Sequence, residues 1–305
     1  MDGLGRVGRQ AGGGSVVGPM QIIRRIFVPL TGGDGDVAAL AAAFTTASQL
    51  AAHVDAALLR FDQRYVRPKL NEALPPGLFE EVATLLADHD AAEIQAHRRF
   101  DEARLAVAAP LAEEAPGPLG LSARWLGARP AERIVRDGGL SDLLVVGPQH
   151  SHDNPRPNAV RRAALITAGR PLLLAAETPM PSIGRRIAIA WNGSSGGAQA
   201  VAAALPFLAT AEAVTVLTVK TPRTRSSEGE RLVDYLAWHG IKAGASVLKA
   251  SGDAVGADLL RSAAAFHADL FVMGGYVQSR LQELLLGGVT GYVFTHATLP
   301  ILIAH

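Results

Sequence analysis

Four glycines near the carboxyl end of the chain stand where an α/β protein could hold an anion. Gly274 and Gly275 close the apolar run Leu270-Phe271-Val272-Met273, and Gly287 and Gly288 follow, with Thr290 close behind. A strand that ends in glycine and feeds a helix N-terminus leaves backbone N–H groups pointing into the turn, which suits phosphate. Arg280 follows the first glycine pair and is placed either to reach a phosphate or simply to face solvent. An earlier turn, Asn192-Gly193-Ser194, follows the run Ile187 to Trp191. The indole of Trp191 could stack on a base or fill the core, and the core is the plainer reading.

Other constellations are weaker. Gly193-Ser194-Ser195-Gly196-Gly197 fits G-x-S-x-G between a strand and a helix, the setting of a hydrolase serine at Ser195. Its base and acid would come from His267, His296 or His305 with Asp253 or Asp258, and no spacing singles these out. A flexible turn is the simpler account. His150-Ser151-His152-Asp153 could offer two imidazoles and a carboxylate to a metal but has no fourth ligand nearby. His89, Glu93 and His97 share one helix face, read most simply as a wet surface. No Walker A motif is present. No catalytic residue and no metal ligand is assigned.

The totals narrow the field. With 29 basic and 28 acidic residues, the chain shows no electrostatic signature of a nucleic-acid or membrane partner. The absence of cysteine removes disulfides, thiolate metal sites and a Cys nucleophile. No window approaches the roughly 20 apolar residues of a membrane span, so a cytoplasmic location is the expectation. Residues 1–19 contain seven glycines and no apolar h-region and are set apart as a disordered extension, Met20 being an alternative start.

The elements that must position these turns recur twice. Ile22 to Leu30 reads as a strand broken by Thr31-Gly32-Gly33-Asp34-Gly35, Val37 to His53 as a helix, and Val54 to Phe61 as a second strand. A helical pattern runs from Leu78 towards Ala109. Strands follow at Ser122 to Leu126, Leu143 to Val146 and Leu172 to Ala175, with helices near Ala131 to Asp137 and Ala159 to Ala168. The second half repeats this with strands at Ile187 to Trp191, Val214 to Val219, Ala245 to Leu248 and Leu270 to Met273, then one after Pro300. Its helices are expected at Ala198 to Leu208, Leu232 to His239 and Ala257 to Phe266. Asp142-Leu-Leu-Val-Val-Gly147 aligns with Asp269-Leu-Phe-Val-Met-Gly274, and Pro171-Leu-Leu-Leu-Ala175 with Pro300-Ile-Leu-Ile-Ala304. Gly32 to Gly147 spans 115 positions against 81 for Gly193 to Gly274, which places a 34-residue surplus, read as a helical insert near 62–116, in the first half.

On these residues the chain resembles the universal stress protein family in its tandem form, over Arg25 to Glu177 and Arg185 to His305. The family carries a V-P-x-D-G-S-like turn after its first strand and G-x-x-G-x9-G-[ST] after its fourth. The resemblance implies that Asn192, Gly193 and Ser194 form the first turn, and Gly274, Val277, Gly287 and Gly288 the signature, with Thr290 supplying a hydroxyl. In the ATP-binding branch these positions hold ribose and phosphates with Mg2+ alongside. Three departures stand out: Asn192 for Asp, Val277 for the second glycine, and Gly288 for the hydroxyl residue. A β-branched residue forced to positive φ is strained by about 1–3 kcal/mol, equivalent to roughly one to two decades of affinity. In the first half Thr31 replaces the Asp, and His150 and Val160 fall at glycine positions, so that copy resembles a degenerate one.

The expectation is therefore two tandem α/β domains, over 20–177 and 184–305, each an open, mostly parallel sheet flanked by helices. The strands at Leu172 to Ala175 and Ile301 to Ala304 should pair with each other as an intramolecular pseudo-dimer, with a homodimer through the first-half insert as a further possibility. The implied function is non-enzymatic, a stress-response protein binding ATP weakly in its second half. The alternatives are a nucleotide-independent interaction module and, last, a serine hydrolase at Ser195.

Overall fold

The computed structural model describes residues 23–60, 89–112, 120–130, 136–148, 169–220, 227–249, 255–275 and 288–304. In chain order the elements are β1 (Arg25–Leu30), α1 (Gly35–Leu50), β2 (His53–Arg60), α2 (His89–Ala106), β3 (Ser122–Pro130), β4 (Leu143–Val146) and β5 (Leu172–Leu174) in the first half. The second half has β6 (Arg186–Ala190), α3 (Ser195–Leu208), β7 (Ala213–Lys220), α4 (Glu228–Trp238), β8 (Ala243–Lys249), α5 (Val255–Ala265), β9 (Leu270–Gly274), α6 (Gly288–His296) and β10 (Ile301–Ala304).

All ten strands form one sheet in the order β3-β2-β1-β4-β5-β10-β9-β6-β7-β8. Within each half every pairing is parallel, as strand–helix–strand crossovers require. Among the described residues the single antiparallel pairing is the expected one, with Ile301 opposite Leu174, Leu302 opposite Leu173 and Ile303 opposite Leu172. The halves are thus two parallel sheets joined into one at this seam. Their strands run in opposite directions.

Alternation splits the core between the two faces. Ile26, Val28, Leu173 and Leu302 lie on the face covered by α1 to α4, whereas Phe27, Leu172, Ile301 and Ile303 lie on the face where α5 and α6 pack. Among the described residues no helix is long and apolar enough to cross a membrane.

Each half is pinned at its base by an aspartate just before its fourth strand. The carboxylate of Asp142 accepts from Arg24 N and Arg25 N, both at 2.9 Å. Asp269 accepts from Gly184 N, Arg185 N, Arg186 N and Ser182 Oγ at 2.8–3.1 Å. These bonds tie the entry of the first strand of each half to the start of its fourth.

The surplus in the first half does not consist of α2 itself. That helix lies between β2 and β3 as α4 lies between β7 and β8, and the extra residues flank it: 28 against 7 before it and 15 against 4 after it. The reading of Glu93 and His97 as a wet surface holds for His97, whose side chain is 48% exposed, and needs correction for Glu93, which is partly buried where α2 lies on β3. Glu93 Oε1 accepts from Ala128 N at 3.0 Å, and the His97 ring stacks on Trp125 with centroids 5.1 Å apart. The side chain of His89 lies outside the described residues, as does the helix expected near 159–168. Strand β3 also runs to Pro130, past the expected end at Leu126, because Gly127 takes φ +74° where the register with β2 shifts.

Three strands of the first half are tied by charge. Asp55 on β2 is fully buried and receives Arg25 Nε from β1 at 2.7 Å and Arg124 Nε and Nη2 from β3 at 2.8 and 3.1 Å. His53 Nε2 lies 3.0 Å from its other side. Burial acts to raise the pKa of Asp55, but hydrogen bonds from His53, Arg124 and Arg25 outweigh it and hold the carboxyl well below the ordinary carboxylate range. A depressed pKa stabilises the fold above the unfolded-state value of 3.8 and loses that contribution as pH falls towards the folded value. Wild-type stability should therefore drop below about pH 4, whereas Asp55→Asn should be less stable at pH 7 and show a flatter acid limb in urea titrations from pH 7 to 3.

Candidate functional site

Strand order reverses between β1 and β4 in the first half and between β6 and β9 in the second. In open α/β sheets ligands bind beyond the carboxyl ends of the strands at such points. Since the halves are antiparallel, the two clefts open at opposite ends of the sheet.

The same backbone device builds both. Gly32 (φ +82°) and Gly193 (φ +76°) turn the chain after β1 and β6 with torsions that favour glycine. Three residues on, Gly35 and Gly196 lie in the first turn of the following helix, which rests on Gly147 and Gly274. A Cβ on Gly147 would lie 2.7 Å from the Gly35 carbonyl carbon, and one on Gly274 would lie 2.6 Å from that of Gly196. Gly274 is thus a packing glycine in its own right, whatever ligand the cleft takes.

With these glycines superposed, Thr31 corresponds to Asn192 and Asp36 to Gly197, and here the halves diverge. Asp36 is buried, and its carboxylate accepts from Thr31 N at 2.9 Å, Thr31 Oγ1 at 3.1 Å and Gly32 N at 2.8 Å. Burial raises its pKa despite these bonds. Arg99 closes the turn from α2, donating to Gly33 O at 2.8 Å. The backbone donors of the first cleft are therefore occupied by the chain's own carboxylate.

In the second half position 197 has no side chain, and the ring of Trp191 packs there, 3.2 Å from where a Cβ would stand. Asn192 N and Gly193 N have no protein acceptor among the described residues. Asn192 Oδ1 accepts from Ser194 N at 3.1 Å, and Ser194 Oγ caps α3 by accepting from Gly197 N at 3.2 Å. Trp191 Nε1, just beyond β6, and Thr218 Oγ1, near the end of β7, are buried without hydrogen-bond partners among the described residues. Glu228, at the start of α4, brings a carboxylate oxygen to 3.0 Å from the Cβ position of Gly193.

The structure brings Asn192, Gly193, Ser194 and Gly274 together around the first turn of α3. Gly288 (φ +87°) opens α6, and Thr290 in its first turn is buried. Val277, Arg280 and Gly287 lie outside the described residues, as do His150, Val160 and the His150 to Asp153 cluster. Among the described residues no group of His, Asp or Glu is arranged to hold a metal, and no histidine bonds to Ser195, the first residue of α3. Glu228, Thr218 and Asp36 escaped the sequence reading. Only Asp36 left a trace there, as the aspartate facing a glycine in the repeat.

Gly274→Ala and Gly147→Ala should each destabilise the protein by about 1–3 kcal/mol or more through backbone overlap. Urea midpoints without any ligand check this, and unchanged midpoints would show that the helix does not rest on these glycines.

No protein-family model matches the chain, and no curated protein matches it. Solved structures do. A universal stress protein from Archaeoglobus fulgidus DSM 4304 superposes with TM-score 0.61 at 9% identity, over 92% of this chain and 97% of that one. A functionally unknown protein from Pseudomonas aeruginosa PAO1 gives 0.53 at 17% identity, over 93% of both chains. A putative universal stress protein from Pseudomonas aeruginosa UCBPP-PA14 gives 0.52 at 18%, over 93% and 94%. At these identities the likeness is one of fold, and it runs through both halves and the seam. By strand order, by the paired turns and by these end-to-end superpositions, the chain has the universal stress protein fold in its tandem form.

Proposed function

We propose that the chain is a stress-response protein whose second half binds an adenine nucleotide weakly, as ATP with Mg2+ on its phosphates, while its first half binds none. The observation that carries this reading is the exchange of Asp36 for Gly197. One cleft holds an internal carboxyl group on its backbone donors, and the other leaves the equivalent donors without an acceptor among the described residues. The orphaned Trp191 Nε1 and Thr218 Oγ1 add two buried donors beside that cleft, and buried polar groups without partners call for a water or a ligand. Asn192, Gly193 and Ser194 would form the turn under the sugar, and the Glu228 carboxylate suits a ribose hydroxyl rather than a phosphate. Gly274, Val277, Arg280, Gly287, Gly288 and Thr290 would form the phosphate end. Mg2+ would be held by the phosphates, whose charge it offsets.

The competing reading, a nucleotide-independent interaction module, is favoured by Asn192 and Ser194, whose side chains already bond within the turn. Calorimetry with ATP·Mg2+ on the full chain separates the two. Binding in the high micromolar to millimolar range is expected, and no heat at millimolar nucleotide would leave the interaction module. Gly197→Asp should abolish the binding by recreating the carboxylate of Asp36, with circular dichroism showing the fold retained. Full affinity in that variant would show that the nucleotide does not use the donors of this turn.

A further inference from the structure

A second constellation lies at the amino ends of β2 and β3, outside both clefts. His53 and Ser122 face each other across the two strands. Ser122 Oγ lies 2.8 Å from His53 Nδ1, and His53 Nε2 lies 3.0 Å from Asp55 Oδ1. A hydroxyl, an imidazole and a buried carboxylate are thus joined in one hydrogen-bonded row. Ser122 is partly exposed, the side chain of His53 is 17% exposed and that of Asp55 is fully buried, so the row runs from the surface inward.

The direction of the bonds follows from chemistry. Asp55 is ionised, its charge secured by Arg25 and Arg124, and an ionised carboxylate can only accept. With neutral imidazole, Nε2 therefore carries the hydrogen, Nδ1 presents a lone pair, and the Ser122 hydroxyl donates to it. The ring is turned end for end relative to the usual serine hydrolase arrangement, in which Nε2 faces the serine. Either nitrogen can take the proton.

We propose that Ser122 is an activated nucleophile, with His53 as its base and Asp55 as the positioning residue, able to take the acyl group of a small ester. In the first step the Ser122 Oγ–H proton passes to His53 Nδ1 as Oγ bonds to the carbonyl carbon. The bond from that carbon to the ester oxygen then breaks, and the alcohol leaves with the proton from Nδ1. Water, deprotonated by the same nitrogen, hydrolyses the acyl-serine and restores the hydroxyl. Arg25 and Arg124 flank the row, and their side chains are 29% and 30% exposed, which favours an ester bearing a negative charge. This chemistry uses no residue of the nucleotide cleft and stands or falls independently of nucleotide binding.

The test is labelling of the full chain with a fluorophosphonate. Its phosphorus–fluorine bond breaks as Oγ bonds to phosphorus, fluoride leaves, and the hydroxyl proton is taken up by His53. Mass mapping of the adduct is expected to place it on Ser122 and to find none there in Ser122→Ala. His53→Gln keeps a polar side chain at the strand end and should slow labelling by about a hundredfold or more, with an unchanged circular dichroism spectrum. Absence of an adduct at millimolar probe, an adduct on Ser195 instead, or an unchanged rate in His53→Gln would each overturn the proposal.

Discussion

The molecule depends on two very short strands meeting edge to edge. Leu172–Leu174 and Ile301–Ala304 are buried throughout, and neither would be covered on both sides in an isolated half, since each ends its own parallel sheet. Pairing them removes two exposed edges at once and makes the seam the centre of a ten-stranded sheet. Because the pairing is antiparallel, it also sets the direction of everything else. The two clefts open at opposite ends, and the Ser122–His53–Asp55 row, at the amino ends of the first half, lies at the same end of the sheet as the carboxyl ends of the second.

Away from the seam the halves are built alike and then put to different use. An aspartate clamps the base of each, and a positive-φ glycine followed by a helix resting on glycine forms the top of each. The departure lies in what fills the turn. Asp36 satisfies the first one from within, at the cost of burying a carboxylate, and Gly197 leaves the second to Trp191 and to whatever occupies the cleft. The outer edges differ as well. Strand β3 is covered by α2 and bridged through Ala123 to Leu111, whereas β8 has only partly buried and exposed residues along its length.

Much of the fold could be read from residue patterns because those patterns are local. The apolar runs of β1, β4, β6 and β9 and the paired Asp-to-Gly segments place strands to within a few residues, and the Pro-led runs identify the seam. Ends set by cross-strand geometry were less legible. Strand β3 outran its apolar pattern through a glycine bulge, α3 began at Ser195, behind the Ser194 cap and three residues before the expected start, and α6 formed from a glycine-containing stretch with no helical period. Correspondence between the glycine turns of the two halves was also readable, since it depends only on spacing.

What the order of residues determined by itself was the tandem plan, the parallel halves, the pairing of their last strands and the position of the second-half turn. What only the tertiary structure decided was the use of each group once the chain had closed. Gly274 became a seat for backbone, Asp36 an internal acceptor, Glu228 a wall of the cleft, and Ser122, His53 and Asp55 neighbours in a row. The physical reason is that hydrogen bonds and steric contacts between residues distant along the chain are fixed by strand register and helix docking. Neither leaves a periodic trace in the sequence.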